Sequence, residues 1–118
     1  MEYLCLVYFE AKKLDALSEN DSNSLVNESL AYDDALRKSG HFIAAQALQS
    51  VETATTVRVR KGKLSTTDGP FAETKEQLGG FILINAKELD DAIQVAAKIP
   101  LARLGSIEVR PVLHLTRQ

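Results

Sequence analysis

The residues best suited to chemistry are gathered in one loop-like segment, residues 67–81, which contains Asp68 and Glu73. A carboxylate at the mouth of a cleft can act as a general acid or base when its pKa is raised toward the working pH. We therefore predict Asp68, together with Glu73, as catalytic candidates in a cleft between helices and sheet. The neighbours expected to border a ligand are Gly69, Pro70 and Phe71.

The same segment also has a purely structural explanation. Asp68 can accept hydrogen bonds from nearby backbone amides in an Asx turn, and Phe71 can anchor the loop in the core. Gly69 permits a positive φ and Pro70 fixes φ, so both suit a tight turn. The residue types do not decide between the structural and the functional explanation.

Basic residues near this segment are candidate contacts for an anionic ligand. On a strand, Arg58 and Arg60 point to one side, opposite the valines that alternate with them. The group is either the solvated face of a hairpin that turns at residues 61–63 or the anion-facing wall of a pocket. In the second case, Arg58 and, from the last strand, Arg110 are available to a small anionic ligand.

The two histidines and the cysteine are weaker candidates. His41, at a predicted strand start, is a weak catalytic candidate that we expect at the surface or partly packed, and His114 is weaker still. Cys5 lies in an apolar run and is predicted to be a buried hydrophobe. One Cys and two distant His give no recognised metal-ligand spacing, and Asp90 and Asp91 are better explained as a helix start.

Sequence motifs for other chemistries are missing. Gly79 and Gly80 precede a strand rather than follow one, so they do not form a phosphate-binding loop. No Gly-x-Ser-x-Gly motif and no Ser/His/Asp set is visible. We therefore expect no metal, no cofactor and no classical hydrolase chemistry.

Size and composition describe one ordinary globular domain over residues 1–118. Hydrophobic residues make up 45% of the chain and charged residues 25%, and the net charge of −2 argues against a nucleic-acid partner. No apolar run approaches the roughly 20 residues that a spanning helix needs, and the first residues do not resemble a secretory signal. We expect a cytoplasmic protein without membrane contacts.

The elements that position these residues follow from the hydrophobic pattern. Residues 2–9 and 80–85 are almost continuously apolar, which predicts central strands buried on both faces. A helix is predicted over residues 21–39, capped by Asp21 or Ser22 and stopped by Gly40. The other predicted elements are a strand at 41–48, a hairpin of 55–60 and 64–66, a helix at 88–99, and a strand at 107–113 in which Pro111 suggests a sheet edge or an interrupted ladder.

The first predicted helix has two faces of different polarity. Its apolar stripe is predicted to consist of Leu25, Val26, Leu30 and Leu36. Its solvent-facing residues are predicted to be Asn27, Glu28, Asp33, Asp34, Arg37 and Lys38.

The order of elements predicts an α+β fold, namely a ferredoxin-like βαββαβ sandwich with an added β-hairpin. Two helices can cover only one face of the sheet, although its central strands are apolar on both. A second copy that packs sheet against sheet is the simplest cover for the other face, so we expect a homodimer.

Three stretches, residues 55–60, 67–81 and 105–112, resemble the YCII-related family, in the subgroup known by its Asp-Gly-Pro-Phe (DGPF) motif. The resemblance extends over nearly the whole chain and implies a homodimer of the dimeric α+β barrel type. In YCII-like relatives it also implies an active site in which a buried acidic residue pairs with a histidine. This sequence departs from that pattern, because residues 21–39 contain no histidine.

Two hypotheses for function follow. The first is a dimeric small-molecule-binding protein or minor enzyme that uses an acidic residue of the DGPF loop, the loop that contains Asp68-Gly69-Pro70-Phe71. The second is a non-catalytic regulatory or interaction module, because the resemblance implies association with extracytoplasmic-function sigma factors.

Overall fold

Six strands and three α-helices make up the fold, and the computed structural model describes all residues from 1 to 118. No helix combines the length and the apolar character that a membrane crossing requires. Two short 3-10 turns lie at Val51–Thr53 and Pro100–Arg103. In chain order the main elements are β1 (Glu2–Phe9), α1 (Ala11–Asp15), α2 (Glu19–Ser39), β2 (Phe42–Ala47), β3 (Thr55–Arg60), β4 (Lys63–Asp68), β5 (Gln77–Asn85), α3 (Leu89–Ala97) and β6 (Gly105–Pro111).

Four strands form an antiparallel sheet in the order β2-β5-β1-β6, and β3 and β4 form a separate hairpin. The strands predicted to be central, β1 and β5, are central, and Cys5 lies opposite Ile82 on one side and Val109 on the other. The edge position predicted from Pro111 is also confirmed, since β6 pairs only with β1. The fold is therefore the predicted ferredoxin-like α+β sandwich with an added hairpin.

The core lies between the sheet and the helices. Along β1, the buried residues Tyr3, Cys5 and Val7 alternate with half-buried ones, as a strand requires when one face packs against helices. Ile82 and Ile84 continue this face on β5. Burial raises the pKa of the Cys5 thiol to about 11, so Cys5 is the buried hydrophobe that the sequence predicts.

The opposite face of the sheet is also apolar. Its side chains come from the alternate positions of the two central strands, so they point away from the helices. They are only half-buried. We call this surface the open face; it consists of Leu4, Leu6, Tyr8, Phe81 and Leu83.

Helix α2 begins earlier than predicted and ends where predicted. Ser18 is the N-cap, because its hydroxyl accepts a hydrogen bond from the Asp21 amide at 3.0 Å. Gly40 ends the helix in the left-handed region at φ 81°. The prediction of Asp21 or Ser22 as the cap was wrong by one helical turn.

The hairpin turns at Lys61 and Gly62, whose φ angles of 52° and 74° are both positive. Two successive positive φ values fit the tight turn that matches the twist of paired strands. The hairpin exposes Val57, Val59 and Leu64, each more than half exposed. The predicted hairpin is confirmed, with a second strand that extends to Asp68.

Candidate functional site

A mainly apolar cleft lies between α2 and the side of the sheet where β5 pairs with the edge strand β2. It has a volume of about 500 Å³, and 14 of its 21 lining residues are hydrophobic, so a mainly apolar molecule suits it. Leu25, Ser29 and Asp33 line it from α2, at the spacing of four residues that places side chains on one helix face. We call it the α2 cleft.

Small residues on the sheet side leave the space that becomes the α2 cleft. Ala45, Ala47, Gly79 and Gly80 line this side, and none carries a bulky side chain. A Cβ atom at Gly79 would overlap the ring of Phe9, and a Cβ atom at Gly80 would lie 2.7 Å from the carbonyl oxygen of Gln46. At Gly80 the clash is with backbone, so the local packing requires glycine there, whereas a side chain at Gly79 would require the Phe9 ring to move.

Asp33 is the only carboxylate that lines the α2 cleft. Desolvation by burial raises the pKa of the Asp33 carboxyl above its ordinary value; Arg37 opposes the rise, and Asp34 adds to it. The hydroxyls of Ser29 and Tyr32, which flank Asp33 on α2, are engaged within the chain. Ser29 Oγ donates to the Leu25 carbonyl at 2.8 Å, and Tyr32 Oη donates to the Val95 carbonyl at 2.6 Å.

Asp33 was predicted to be solvent-facing, and that prediction was wrong. Its side chain is half-buried, whereas the next residue, Asp34, is exposed and lies 2.7 Å from Arg37. The signal in the sequence is the spacing of four residues between Leu25, Ser29 and Asp33, which places the three side chains on one face of the helix. Polarity alone assigns Asp33 to the solvent-facing side of the helix, whereas its position assigns it to the face of Leu25.

A second cleft, of about 460 Å³, is polar and lies where α2 ends and α3 begins. His41 Nε2 is 3.1 Å from Asp91 Oδ2 and 3.2 Å from Oδ1, and His41 Nδ1 is 2.7 Å from Ser39 Oγ. The Lys87 amide donates to Asp91 Oδ2 at 3.0 Å. That backbone hydrogen bond, followed by the one to His41, holds the pKa of the Asp91 carboxyl below its ordinary value.

The sequence placed His41 at the surface or partly packed, and its side chain is indeed only 23% exposed. Its partner was missed, because Asp91 is 50 residues away and had been explained as part of a helix start. Asp91 lies in the first turn of α3, where an acidic residue suits the helix start, and its carboxylate also accepts from the Lys87 amide just before the helix, so both descriptions apply. Ser39 and His41 are close in the sequence, and only the fold brings Asp91 next to them.

The residues of the DGPF loop lie away from both clefts. Asp68, Phe71 and Glu73 are exposed and line neither. The structural explanation that Phe71 anchors the loop in the core is wrong, since Phe71 is 80% exposed. Pro70 is half-buried.

The loop is held by hydrogen bonds of the Gly69 backbone rather than by the Asp68 side chain. The Gly69 amide donates to the Ala54 carbonyl at 2.7 Å, and its carbonyl accepts from Thr56 Oγ1 at 2.8 Å. Gly69 has a φ of 102°, as predicted for a turn glycine. The Asp68 side chain forms none of the hydrogen bonds of an Asx turn.

The two predicted anion-binding arginines lie on different elements. Arg58, on β3, makes a long contact of 3.4 Å from Nη2 to the carbonyl oxygen of Phe71, which ties the hairpin to the DGPF loop. Arg110, on β6, pairs with Glu108 at 3.2 Å. Neither arginine lines the α2 cleft or the polar cleft. No group of three or more His, Cys, Asp and Glu side chains has the arrangement of a metal site.

Comparison with known proteins assigns the family. The model of the YCII-related domain matches residues 1–116. An uncharacterized protein of Rhizobium meliloti is 34% identical over 114 residues, which cover 95% of this chain and 92% of that protein. The chain belongs to the YCII-related family.

A solved structure shares the fold at low sequence identity. It is 5-chloro-2-hydroxyhydroquinone dehydrochlorinase from Burkholderia phenoliruptrix, in complex with 2,5-dihydroxybenzoquinone. The match covers 97% of this chain and 95% of that chain, with a TM-score of 0.57 and 15% identity. This similarity supports the predicted fold of the dimeric α+β barrel type.

Proposed function

We propose that this protein binds a small, mainly apolar molecule in the α2 cleft, as a binding protein or a minor enzyme in which Asp33 is the acid or base. The observation that carries the proposal is a half-buried carboxylate with a raised pKa on the wall of a cleft of about 500 Å³. Perturbed carboxyl groups inside clefts are typical of functional sites.

The chemistry of Asp33 favours a ligand that carries a hydroxyl group. A desolvated carboxylate needs a hydrogen-bond donor, and the neighbouring Ser29 and Tyr32 hydroxyls donate to backbone carbonyls instead. A ring with a hydroxyl would place its apolar body against the cleft wall and its O–H toward Asp33. The structural neighbour, described with a dihydroxylated ring compound bound, supports this ligand class by analogy of fold.

The proposal keeps a homodimer and a role for the DGPF loop. The chain carries the Asp-Gly-Pro-Phe sequence at residues 68–71. Because the loop is exposed, Asp68 and Glu73, with Arg58 or Arg110 for an anionic group, would act at a surface shared with a second subunit rather than in the α2 cleft. In that arrangement the open face of the sheet forms the dimer contact.

Binding measurements on a matched set of ligands test the proposal. Small phenols and hydroquinones would be titrated against the wild type, Asp33→Asn and Asp34→Asn by calorimetry, with the corresponding methyl ethers as ligands that lack the O–H donor. A hydrogen bond to a charged group contributes about 1.5–3 kcal/mol, so we expect Asp33→Asn to weaken phenol binding at least about tenfold. Asp34→Asn should bind like the wild type, and ethers should bind weakly to all three.

Two outcomes would contradict the proposal. One is no saturable binding of any phenol to the wild type. The other is an equal loss of affinity in Asp33→Asn and Asp34→Asn, which would mean that Asp33 has no specific role.

A second candidate function is a non-catalytic interaction module that contacts an extracytoplasmic-function sigma factor. The observation that favours it is the exposed hairpin and loop, where Phe71, Val57 and Leu64 present apolar surface to solvent. Pull-down with wild-type and Phe71→Ala baits tests it. Recovery of a sigma factor by the wild type alone supports the module, and recovery of none counts against it.

A further inference from the structure

We propose that Ser39, His41 and Asp91 form a second reactive site, a nucleophile, base and carboxylate array that takes the acyl group of a small ester. The three side chains lie in line in the polar cleft. Ser39 Oγ is 2.7 Å from His41 Nδ1, and His41 Nε2 is 3.1 Å from the nearer oxygen of Asp91. These distances meet the requirement for a nucleophile within reach of a base that a third group orients.

The Asp91 carboxylate sets the tautomer of His41. A carboxylate only accepts, so Nε2 carries the proton and donates it to Asp91, which leaves the lone pair of Nδ1 directed at Ser39 Oγ. In the serine protease triad, Nε2 of the histidine faces the serine and Nδ1 faces the carboxylate, and here the two nitrogens are reversed. Such an array is nevertheless recognised by geometry and roles. At rest, Ser39 Oγ is also 3.1 Å from the Leu36 carbonyl oxygen, so attack requires its proton to turn toward Nδ1.

Backbone geometry holds the nucleophile and the base in place. Gly40, between them, is in the left-handed region, and its amide and that of His41 donate to the Arg37 and Leu36 carbonyls at 3.2 and 2.9 Å. The Asn85 amide in turn donates to the His41 carbonyl at 2.8 Å, which ties this corner to β5. The array therefore rests on a helix end and a strand rather than on a free loop.

The same cleft offers a donor for a developing oxyanion. Asn85 lines it, and its Oδ1 accepts from the backbone nitrogen of Met1 at 3.1 Å, so the amide nitrogen of the side chain is free to donate. Ser39 is exposed and His41 and Asp91 are only partly covered, which gives a small ester access.

The reaction balances without a co-reactant other than water. Ser39 Oγ bonds to the ester carbonyl carbon while its proton moves to His41 Nδ1. The bond from that carbon to the alcohol oxygen then breaks, and the alcohol leaves with the proton from His41. Water then gives a proton to the same nitrogen while its oxygen bonds to the acyl carbon. The bond from that carbon to Ser39 Oγ breaks, the acid leaves, and Ser39 Oγ takes back the proton from His41 Nδ1.

A fluorophosphonate probe tests the site by forming a bond from Ser39 Oγ to phosphorus with loss of fluoride. We expect the label on the peptide that contains Ser39, located by mass spectrometry, and no label on that peptide in Ser39→Ala. Removing a general base costs roughly 100-fold or more, so His41→Gln should label about 100-fold more slowly. Asp91→Asn should also slow labelling, and Asp91→Glu should restore part of the rate, since Asp91 acts by positioning His41.

Matched controls separate this site from the rest of the molecule. Ser24→Ala and Asp34→Asn, which change exposed residues of α2 that line neither cleft, should label like the wild type. The proposal is overturned if Ser39 takes no label at millimolar probe, or if folded His41→Gln, verified by circular dichroism, labels at the wild-type rate.

Discussion

Asp33 and Asp34 are neighbours in the chain with opposite environments. Asp34 is exposed and paired with Arg37, whereas Asp33 is half-buried in the α2 cleft and the pKa of its carboxyl is raised mainly by desolvation. Chemistry at this site therefore depends on which face of α2 a carboxylate occupies, not on the residue type. The pair also provides a built-in control for experiments on the cleft.

We expect Asp33→Asn to be more stable than the wild type at neutral pH. A carboxyl whose pKa is raised in the folded state binds more protons folded than unfolded, so stability is lost as pH rises through the folded pKa. Asparagine does not titrate, so the stability advantage of Asp33→Asn over the wild type should disappear below the unfolded pKa of an aspartate, about 3.9. Urea unfolding from pH 3 to pH 8 measures this, with Asp34→Asn as the control, and a variant less stable than the wild type at pH 7 would contradict it.

Asp68→Ala is expected to change the free energy of unfolding by no more than about 0.5 kcal/mol. The Asp68 side chain is exposed and makes none of the contacts of a turn cap, and surface substitutions of this kind are usually close to neutral. The measurement requires a fixed protein concentration, because the dimerisation that we expect would shift the stability. A loss of about 1 kcal/mol or more would restore the structural explanation of the DGPF loop.

At the scale of elements, the strands and the end of α2 could be predicted because local sequence determines them. The apolar run of residues 2–9 gives a central strand, and Gly40 ends α2 because it is the residue that adopts a φ of 81° without steric cost. The start of α2 was missed because Ser18, Asp21 and Ser22 are all good caps. Which of them caps the helix depends on where the chain leaves α1.

The candidate site was much less predictable than the elements. The α2 cleft exists because small residues of β2 and β5 face α2, and the array at His41 joins residues 50 positions apart. Both depend on long-range packing, which a single sequence does not display. Glycine, proline and charged residues are concentrated in the DGPF loop, and this pattern predicted a site there. The loop lies outside both clefts.

Gly40→Ala should destabilise the fold by about 1 kcal/mol. A Cβ at Gly40 meets no atom within 4 Å, so the cost comes from the left-handed backbone alone, which is about 1–2 kcal/mol for a residue with a side chain. Gly40→Asn should lose less, because asparagine tolerates this region better. Urea unfolding of both variants compares them; equal losses would show that another effect, such as disturbed packing at His41, dominates.

The whole molecule is thin, with extents of 48 × 47 × 19 Å, and only 13 of its 118 residues are buried. The thin shape and the small number of buried residues both follow because a single layer of helices covers one side of the sheet. The apolar open face remains on the other side, and a surface of this kind favours association. The dimer expected from the sequence would give this face a partner.

Leu6→Glu, in the centre of the open face, is expected to convert the protein to a monomer. A buried unpaired carboxylate costs several kcal/mol at an interface, which is enough to abolish a dimer of ordinary affinity. Leu89→Glu, on α3 in the helical layer, is the control and should remain dimeric. Sedimentation equilibrium at several concentrations measures the result, and a wild type that sediments as a monomer would contradict the expected assembly.

Amide chemical-shift mapping with a bound phenol tests most directly whether the α2 cleft is the ligand site. We expect the largest shifts at Ser29 and Asp33 of α2 and at Gly80 of β5, which face each other across the cleft. The Asp33→Asn variant should show the same set of shifts only at about tenfold higher ligand concentration. Shifts confined to residues 67–76, or to the corner at Ser39 and His41, would place the ligand elsewhere and contradict the account.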